Sequence, residues 1–147
     1  MGRDTHGEKG RKWTGFDLDG TLAEYSGWEG IEHIGKPIEA MCSLIKKLHS
    51  EGEEVKIVTA RVAPRKDGID PAKAKEYIEK WCEKNLGFVP HITHEKDSLM
   101  KTLYDDRVVQ VIPNTGVTVE EAAHRLFQNG QKDSVAQMLV DFLEDEN

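Results

Sequence analysis

Two aspartates one residue apart, Asp17 and Asp19, are followed directly by Gly20 and Thr21 and form the stretch most suited to chemistry. The apolar run 13–16 precedes them, which predicts a buried strand that ends in a loop at Asp17. In open α/β sheets, ligands gather at the carboxyl ends of the strands, where two neighbouring carboxylates are costly unless a cation lies between them. The spacing therefore favours a divalent-metal site. For Asp-x-Asp alone, a strand end with solvated aspartates is the alternative.

The composition sets bounds on the fold and the environment. The chain has 147 residues, of which 37% are hydrophobic and 32% charged, as is typical of one globular domain with its own core. We expect residues 1–11 to form a mobile tail and residues 12–147 to form that domain. No stretch has the apolar length of a membrane span or a secretion signal, so we expect a cytoplasmic protein with no membrane partner. The net charge of −7 argues against broad nucleic-acid binding but allows a local basic patch.

Strand and helix patterns alternate along the chain. They predict an α/β fold with a doubly wound, mainly parallel sheet, helices on both faces and a C-terminal helical pair. The predicted strands are 13–16, 55–59, 88–93 and 99–104, and the predicted helices are 37–51, 72–86, 118–129 and 133–144. Residues 22–36 contain three glycines and are predicted to form an irregular flap beside the acids. The apolar run 108–112 follows the fourth strand too closely for a parallel crossover, so it is either an antiparallel edge or no regular strand.

Three further polar groups follow the ends of predicted strands. Thr59 ends the second strand, Lys96 lies in the loop after the third, and Asp105 and Asp106 follow the fourth. Each signal is weak alone, because such residues are usually an ordinary threonine, a solvated charge and a turn. Their occurrence together in this order is the informative feature.

The groups Asp17/Asp19, Thr59, Lys96 and Asp105/Asp106 resemble the four motifs of the haloacid dehalogenase (HAD) superfamily of phosphohydrolases. The resemblance covers residues 13–112, and Asp-x-Asp-Gly-Thr is its most specific part. Members of this family usually carry an inserted cap domain that selects the substrate. Here one predicted helix largely fills each interval between motifs, so the chain looks like a compact, capless (C0-type) member with a Rossmann-like sheet. It is similar in this respect to HAD-like hydrolases of phages and bacteria.

The resemblance implies a magnesium-dependent phosphomonoester hydrolase that acts through an aspartyl-phosphate intermediate. Asp17 would be the nucleophile, and Asp19 would protonate the leaving oxygen and later deprotonate the attacking water. The Thr59 hydroxyl and the Lys96 ammonium would bind phosphoryl oxygens.

The resemblance also implies a metal site. Mg²⁺ would be held by Asp17, by the main-chain carbonyl of Asp19, and by Asp105 or Asp106. Which residue of that last pair contacts the metal directly stays open at the level of sequence.

The loops around the acids are predicted to bind the substrate, through Gly20, Thr21, Tyr25, Trp28, Ala60 and Arg61. Tyr25 and Trp28 would stack on a base or ring, and Arg61 would reach a second phosphate or an acidic group. The alternative is that the two aromatic residues only pin the flap to the core. The strings Thr-Ala-Arg at 59–61 and Asp-Asp-Arg at 105–107 resemble nucleotide and polynucleotide-end phosphatases, which favours a nucleotide or nucleic-acid terminus. The net charge favours a small monophosphate instead.

Other functional classes share parts of this pattern. Dehalogenase chemistry does not need the second acid, so Asp19 favours a phosphatase. A phosphoacceptor signalling module carries its phosphoacceptor aspartate on a middle strand, whereas Asp17 follows the first strand. A phosphate-binding or phosphoacceptor regulatory protein with little turnover is the remaining alternative, against which the four intact motifs argue. The sequence does not determine the oligomeric state.

Overall fold

The computed structural model describes residues 10–145, which fall into two compact units. The first unit ends at Asp106 and the second begins at Arg107. Of the elements within residues 10–145, the strands and the first two α-helices lie in the first unit, and two further α-helices lie in the second. No helix in this part of the chain has the length and apolar character required to cross a membrane.

The first unit is built on a four-stranded sheet with the order β3-β2-β1-β4. The strands are β1 (Trp13–Phe16), β2 (Val55–Val58), β3 (His91–Thr93) and β4 (Met100–Tyr104). All three pairings are parallel, which confirms the predicted α/β fold with a mainly parallel sheet. The chain runs outward from β1 to β3 and then returns to the other side of β1. The connection that leaves β1 thus runs to one side of the sheet, and the connection that enters β4 runs to the other. Doubly wound sheets bind ligands at the carboxyl ends of the two strands that flank such a point.

The two helices of the first unit are α1 (Glu39–Ser50) and α2 (Pro71–Asn85). Each has apolar residues at helical spacing, and α2 begins with a proline after Asp70, whose carboxylate accepts a hydrogen bond from Ala72 N at 3.0 Å. Buried side chains of both helices join four strand residues in one apolar cluster: Cys42, Ile45, Ile78, Trp81, Cys82, Phe16, Val55, Ile57 and Ile92. Within the first unit both helices therefore cover the sheet face that carries Phe16, whereas the sequence predicted helices on both faces. The reason is that the crossovers β1-α1-β2 and β2-α2-β3 run in the same direction along the sheet. The opposite face carries Trp13, over which the Lys56 ammonium lies 4.5 Å from the ring centroid.

The flap, residues 22–36, contains no helix or strand, as predicted. It starts where the carbonyl of Leu18 accepts hydrogen bonds from the N–H groups of residues 21–23, and isolated pairing of Ala23 with Pro37 closes its base. The backbone of Gly35 passes so close to the carbonyl of Glu24 that any Cβ there would collide with it. The Gly35 carbonyl in turn accepts a hydrogen bond from the Trp81 indole at 2.9 Å. The flap is thus attached to α2 at its base.

The second unit contains α3 (Val119–Asn129) and α4 (Ser134–Asp145), which pack against each other around Ala122 and Leu139. The predicted C-terminal helical pair is confirmed. Thr118 caps α3, since its hydroxyl accepts a hydrogen bond from Glu121 N at 3.0 Å. The run 108–112 is not a regular strand: its only pairing in the described chain is an isolated bridge between Val111 and Thr118. The second of the two alternatives for this run is therefore correct.

Several predicted boundaries shift in the structure. Arg11, assigned to the tail, forms an ion pair with Glu54 at 3.3 Å and hydrogen-bonds the carbonyl of Gly52, so it belongs to the folded part. Residues 1–9 of the predicted tail lie outside the described residues. Pro37 precedes α1 instead of starting it, because Ile38 still has an extended backbone. Residues 60–62 form a short 3₁₀ turn in the segment between the predicted strand 55–59 and the predicted helix 72–86.

Candidate functional site

The parallel pairing of β1 with β4 brings three carboxylates together. Phe16 and Tyr104 end their strands in register, and their rings stack with centroids 4.9 Å apart. The Asp17 N–H then donates to the carbonyl of Tyr104 at 2.8 Å, so Asp17 and Asp105 leave the sheet side by side. Carboxylate oxygens of Asp17, Asp105 and Asp106 all lie within 4.8 Å of one another. We call these three residues the acidic triad.

Gly20 lets Asp106 approach the loop after β1. Its φ of +88° is in the left-handed region, and any Cβ at this position would collide with the Asp106 carboxylate. The Gly20 N–H donates to the carbonyl of Ala23 at 2.7 Å. Gly20, predicted to bind substrate, is therefore placed as a spacer whose N–H already has a protein acceptor.

Thr21 lies against the triad. Its hydroxyl is 3.4 Å from a carboxylate oxygen of Asp17 and also 3.4 Å from one of Asp106. A hydroxyl donates one hydrogen bond at a time, and both distances are long for this kind of bond. Thr21 therefore supplies one weak donor for two acids and cannot neutralise them.

The triad perturbs the protonation of Asp17. Burial, together with the charge of Asp105 and a hydrogen bond with Asp106, raises the pKa of Asp17 from 3.8 to about 7. The backbone N–H of Leu18 opposes the shift. In the absence of a cation, Asp17 therefore keeps its proton up to near neutral pH.

The donor set of the triad matches a hard divalent cation. Mg²⁺ and Ca²⁺ prefer carboxylate oxygens, and Mg²⁺ typically takes one or two carboxylates and keeps several waters. Both Asp105 and Asp106 reach the group, so the structure brings both predicted alternatives to the same place. The side chain of Asp19 is not part of the triad. The predicted metal contact of Asp19 is through its main-chain carbonyl, so the position of its side chain does not test that prediction.

The Asp19 carboxylate instead pairs with Arg61. The Arg61 Nε and Nη2 atoms donate to its two oxygens at 2.7 and 2.9 Å, a bidentate ion pair. The guanidinium also donates to the carbonyls of His33 at 2.9 Å and Ile31 at 3.4 Å. Arg61 is only 5% exposed. Four of its five donors thus have protein acceptors, and the side chain ties the flap to the loop after β1.

Trp28 covers this connection from the solvent side. The guanidinium carbons of Arg61 and Arg65 lie 4.9 and 5.1 Å from its ring centroid, within the range of cation–π contact. The ring remains 47% exposed. The structure therefore places Trp28 where the alternative prediction has it, as a residue that pins the flap.

The remaining predicted site residues lie at different distances from the triad. Thr59 is buried, and its hydroxyl caps the 3₁₀ turn by accepting a hydrogen bond from Arg61 N at 3.2 Å, while Ala60 is exposed. Lys96 is exposed, and no contact within residues 10–145 joins it to the acids. The neighbouring Asp97 accepts a hydrogen bond from the Trp13 indole at 2.9 Å, at the amino end of β1. Asp17 follows the opposite end of that strand, so the structure does not bring Lys96 to the triad.

A cavity of about 430 Å³ opens between the flap and the Asp19–Arg61 pair. Besides these two residues its walls include Glu24, Tyr25, His33 and Lys36. Tyr25 was predicted from its ring, but the other three flap residues were not. The only sequence signal for them was their position in a glycine-bearing segment next to the acids. Their convergence depends on the turn that pairs Ala23 with Pro37.

Comparisons with known proteins add little to this geometry. No family model matches the chain, and no curated protein matches it. Among solved structures, the chain is similar to a conserved protein from Bacteroides thetaiotaomicron, with 21% sequence identity and a TM-score of 0.46. The match covers 86% of this chain and 95% of the other. At this level of similarity it carries no argument about function.

Asp17→Asn should change the pH dependence of stability in metal-free protein. A pKa that is higher in the folded state means that stability is fully present below pH 3.8 and is lost as the pH rises through about 7. The neutral amide has no such loss. We therefore expect the free energy of unfolding of the variant to rise relative to the wild type by about 1–2 kcal/mol between pH 4 and pH 8. This is less than the full pKa shift would give, because Asp17 is partly exposed and solvent screens its charge. Urea unfolding in a chelator at several pH values measures this difference.

Asp141→Asn, in which an exposed aspartate of α4 is changed, controls for the loss of one negative charge. It should follow the wild type at every pH. A constant offset between Asp17→Asn and the wild type from pH 4 to pH 8 would show that the triad does not hold the proton.

Arg61→Met should detach the flap. The substitution keeps most of the side-chain length but leaves the Asp19 carboxylate and the carbonyls of Ile31 and His33 without their donors. We therefore expect a loss of about 3 kcal/mol in the free energy of unfolding. Arg65→Met removes the other cation over Trp28 and should reduce the free energy of unfolding much less, because the ion pair of Arg65 is with Asp67, two residues away. Denaturant unfolding and protease cleavage within the flap measure both effects. Similar losses in the two variants would contradict the assigned role of Arg61.

Proposed function

We propose that this protein is a magnesium-dependent phosphomonoester hydrolase of the HAD type, with Asp17 as its nucleophile. The observation that carries the proposal is the acidic triad at the point where the connections of the sheet diverge. A carboxylate that is partly buried, crowded by two others and located at a strand end suits nucleophilic attack on phosphorus. The substrate is proposed to be a nucleotide, a nucleic-acid end or another small monophosphate.

The residues proposed to hold Mg²⁺ are Asp17, Asp105 or Asp106, and the main-chain carbonyl of Asp19. When bound, the ion would supply the positive charge that keeps Asp17 ionised and offsets charge on the phosphoryl oxygens. The raised pKa of Asp17 supports this assignment, since a site that repels its own charges gains most from a cation.

In the first proposed step, an oxygen of Asp17 forms a bond to phosphorus and the bond from phosphorus to the leaving oxygen breaks. The leaving oxygen takes a proton from Asp19, which must then be in its protonated form. In the second step water attacks the aspartyl-phosphate, Asp19 takes a proton from the water, and inorganic phosphate leaves. Thr21 and Thr59 are proposed to orient the phosphoryl group. Lys96 is given no role in these two steps, because it is exposed and no contact within residues 10–145 joins it to the acids.

A second candidate function is phosphate binding or phosphoacceptance with little turnover. The observation that favours it is the Arg61–Asp19 ion pair, which holds Asp19 as a hydrogen-bond acceptor. To act as an acid, Asp19 must take up a proton when substrate enters. A protein in which this does not occur would become phosphorylated on Asp17 by acetyl phosphate and release phosphate slowly.

Asp17→Asn should abolish phosphatase activity, because an amide oxygen is a poor nucleophile and binds Mg²⁺ less well than a carboxylate. We expect the wild type to hydrolyse p-nitrophenyl phosphate only with Mg²⁺, and the variant to be at least 10³-fold slower, on the scale of losing the nucleophile. Wild-type activity in the variant would remove Asp17 from the mechanism. Stoichiometric phosphorylation of the wild type without turnover would instead support the phosphoacceptor function.

Asp19→Asn should separate proton transfer from metal binding. Turnover should fall about 10²–10⁴-fold, the usual contribution of general acid–base catalysis. The magnesium concentration for half-maximal activity should stay within about threefold of the wild-type value, because the proposed metal contact is the carbonyl. Full activity with a much higher requirement for magnesium would reverse the two roles.

A further inference from the structure

We infer that the flap cavity receives the leaving group of the substrate, and that this leaving group is a nucleoside. The inference rests on the proposed function and deepens it, since it makes the substrate a nucleoside monophosphate. Its starting point is that Asp19, which lies two residues after Asp17, forms part of the cavity wall. A leaving oxygen close enough to take a proton from Asp19 lies at the mouth of this cavity.

Tyr25 supplies the surface for a base. Its side chain is 48% exposed, it lines the cavity, and within residues 10–145 its ring has no aromatic or cationic partner. Trp28 differs in this respect, because two guanidinium groups already lie against its ring. A planar base stacks readily on a free phenol ring. The aromatic residue that recognises the base is therefore Tyr25.

Glu24 and Lys36 supply polar contacts for a sugar. They are neighbours at the base of the flap, because the Glu24 N–H donates to the carbonyl of Lys36 at 2.8 Å. Both are exposed, and neither side chain forms an ion pair in the described part of the chain. A carboxylate accepts hydrogen bonds from sugar hydroxyls, as in dinucleotide-binding folds, and an ammonium donates to sugar or base oxygens.

The charge and size of the cavity favour a single nucleotide over a nucleic-acid end. Arg61 is matched by Asp19, and Lys36 is matched in number by Glu24, so the walls have no excess of cations for a polyanion. A volume of about 430 Å³ is at the lower end of the range of roughly 300–1,000 Å³ for small-ligand sites. The net charge of −7 also disfavours a polynucleotide.

The test compares three phosphorylated compounds that differ in one part each. Adenosine 5′-monophosphate has base and sugar, ribose 5-phosphate lacks the base, and methyl phosphate, which is also an alkyl phosphomonoester, lacks both. With Mg²⁺, the wild type should show a kcat/KM for adenosine 5′-monophosphate at least tenfold above that for ribose 5-phosphate. Tyr25→Ala should reduce that preference about tenfold, as expected for one lost stack. The matched control Tyr77→Ala, a tyrosine of α2 outside the cavity, should keep it.

Glu24→Gln should raise KM for both sugar phosphates at least threefold more than it raises KM for methyl phosphate. Binding is measured separately by calorimetry with adenosine 5′-monophosphate and Asp17→Asn protein, in which turnover is removed. The addition of Tyr25→Ala to that protein should weaken binding about tenfold.

The outcomes separate the two proposals. Binding that depends on Tyr25 without hydrolysis of any ester would support the nucleoside site and overturn the phosphatase. Equal kcat/KM for the three compounds, with no binding of adenosine 5′-monophosphate to Asp17→Asn, would support the phosphatase and overturn the nucleoside site. A 5′- or 3′-phosphorylated oligonucleotide hydrolysed tenfold better than the mononucleotide would also overturn it.

Discussion

Repulsion between the three carboxylates is the physical constraint around which the first unit is arranged. The parallel pairing of β1 and β4 continues through the stacked rings of Phe16 and Tyr104, and the next residues on each strand are acids. The strand pairing and the stacked rings stabilise the sheet. The acids that follow oppose this, because their carboxylate oxygens lie within 4.8 Å of one another and repel when they are ionised. Their convergence at a single strand edge is the physical argument behind the proposed cation.

The second interaction that shapes the site is the ion pair between Asp19 and Arg61. It joins the loop after β1 to the 3₁₀ turn after β2, and through the carbonyls of Ile31 and His33 it also holds the flap. One buried guanidinium thereby fixes three segments that are separate in sequence. The same ion pair has a chemical cost, since both carboxylate oxygens of Asp19 already accept hydrogen bonds from Arg61 and a substrate would have to compete for them. The structure thus favours order in the flap at the expense of a free Asp19, and substrate binding must change that balance if Asp19 is to act as an acid.

The flap also shows how a short loop can form a cavity beside a strand end. The flap is a short excursion between β1 and α1, and its shape depends on a close backbone approach at Gly35 and on the pairing of Ala23 with Pro37. These contacts form a cavity next to the acids with few apolar residues of its own. Its lining includes Asp19, Glu24, Lys36 and Arg61, so its charges are nearly balanced, which is consistent with the neutral leaving group of the proposed substrate.

The sequence by itself determined the elements and their class. Apolar runs, glycine stops and the Thr118 cap are local signals, so the strands, helices and the parallel sheet could be predicted. It also predicted that Asp17, Asp105 and Asp106 would converge, because the carboxyl ends of parallel strands share one edge. Only the tertiary structure decided the position of Lys96. This residue lies in a six-residue loop from the end of β3 to the start of β4, which has no periodicity to fix its path. Tertiary structure also decided the role of Arg61. Sequence shows an arginine after a strand, but whether its guanidinium faces a substrate or a carboxylate depends on a flap that is folded by long-range backbone contacts.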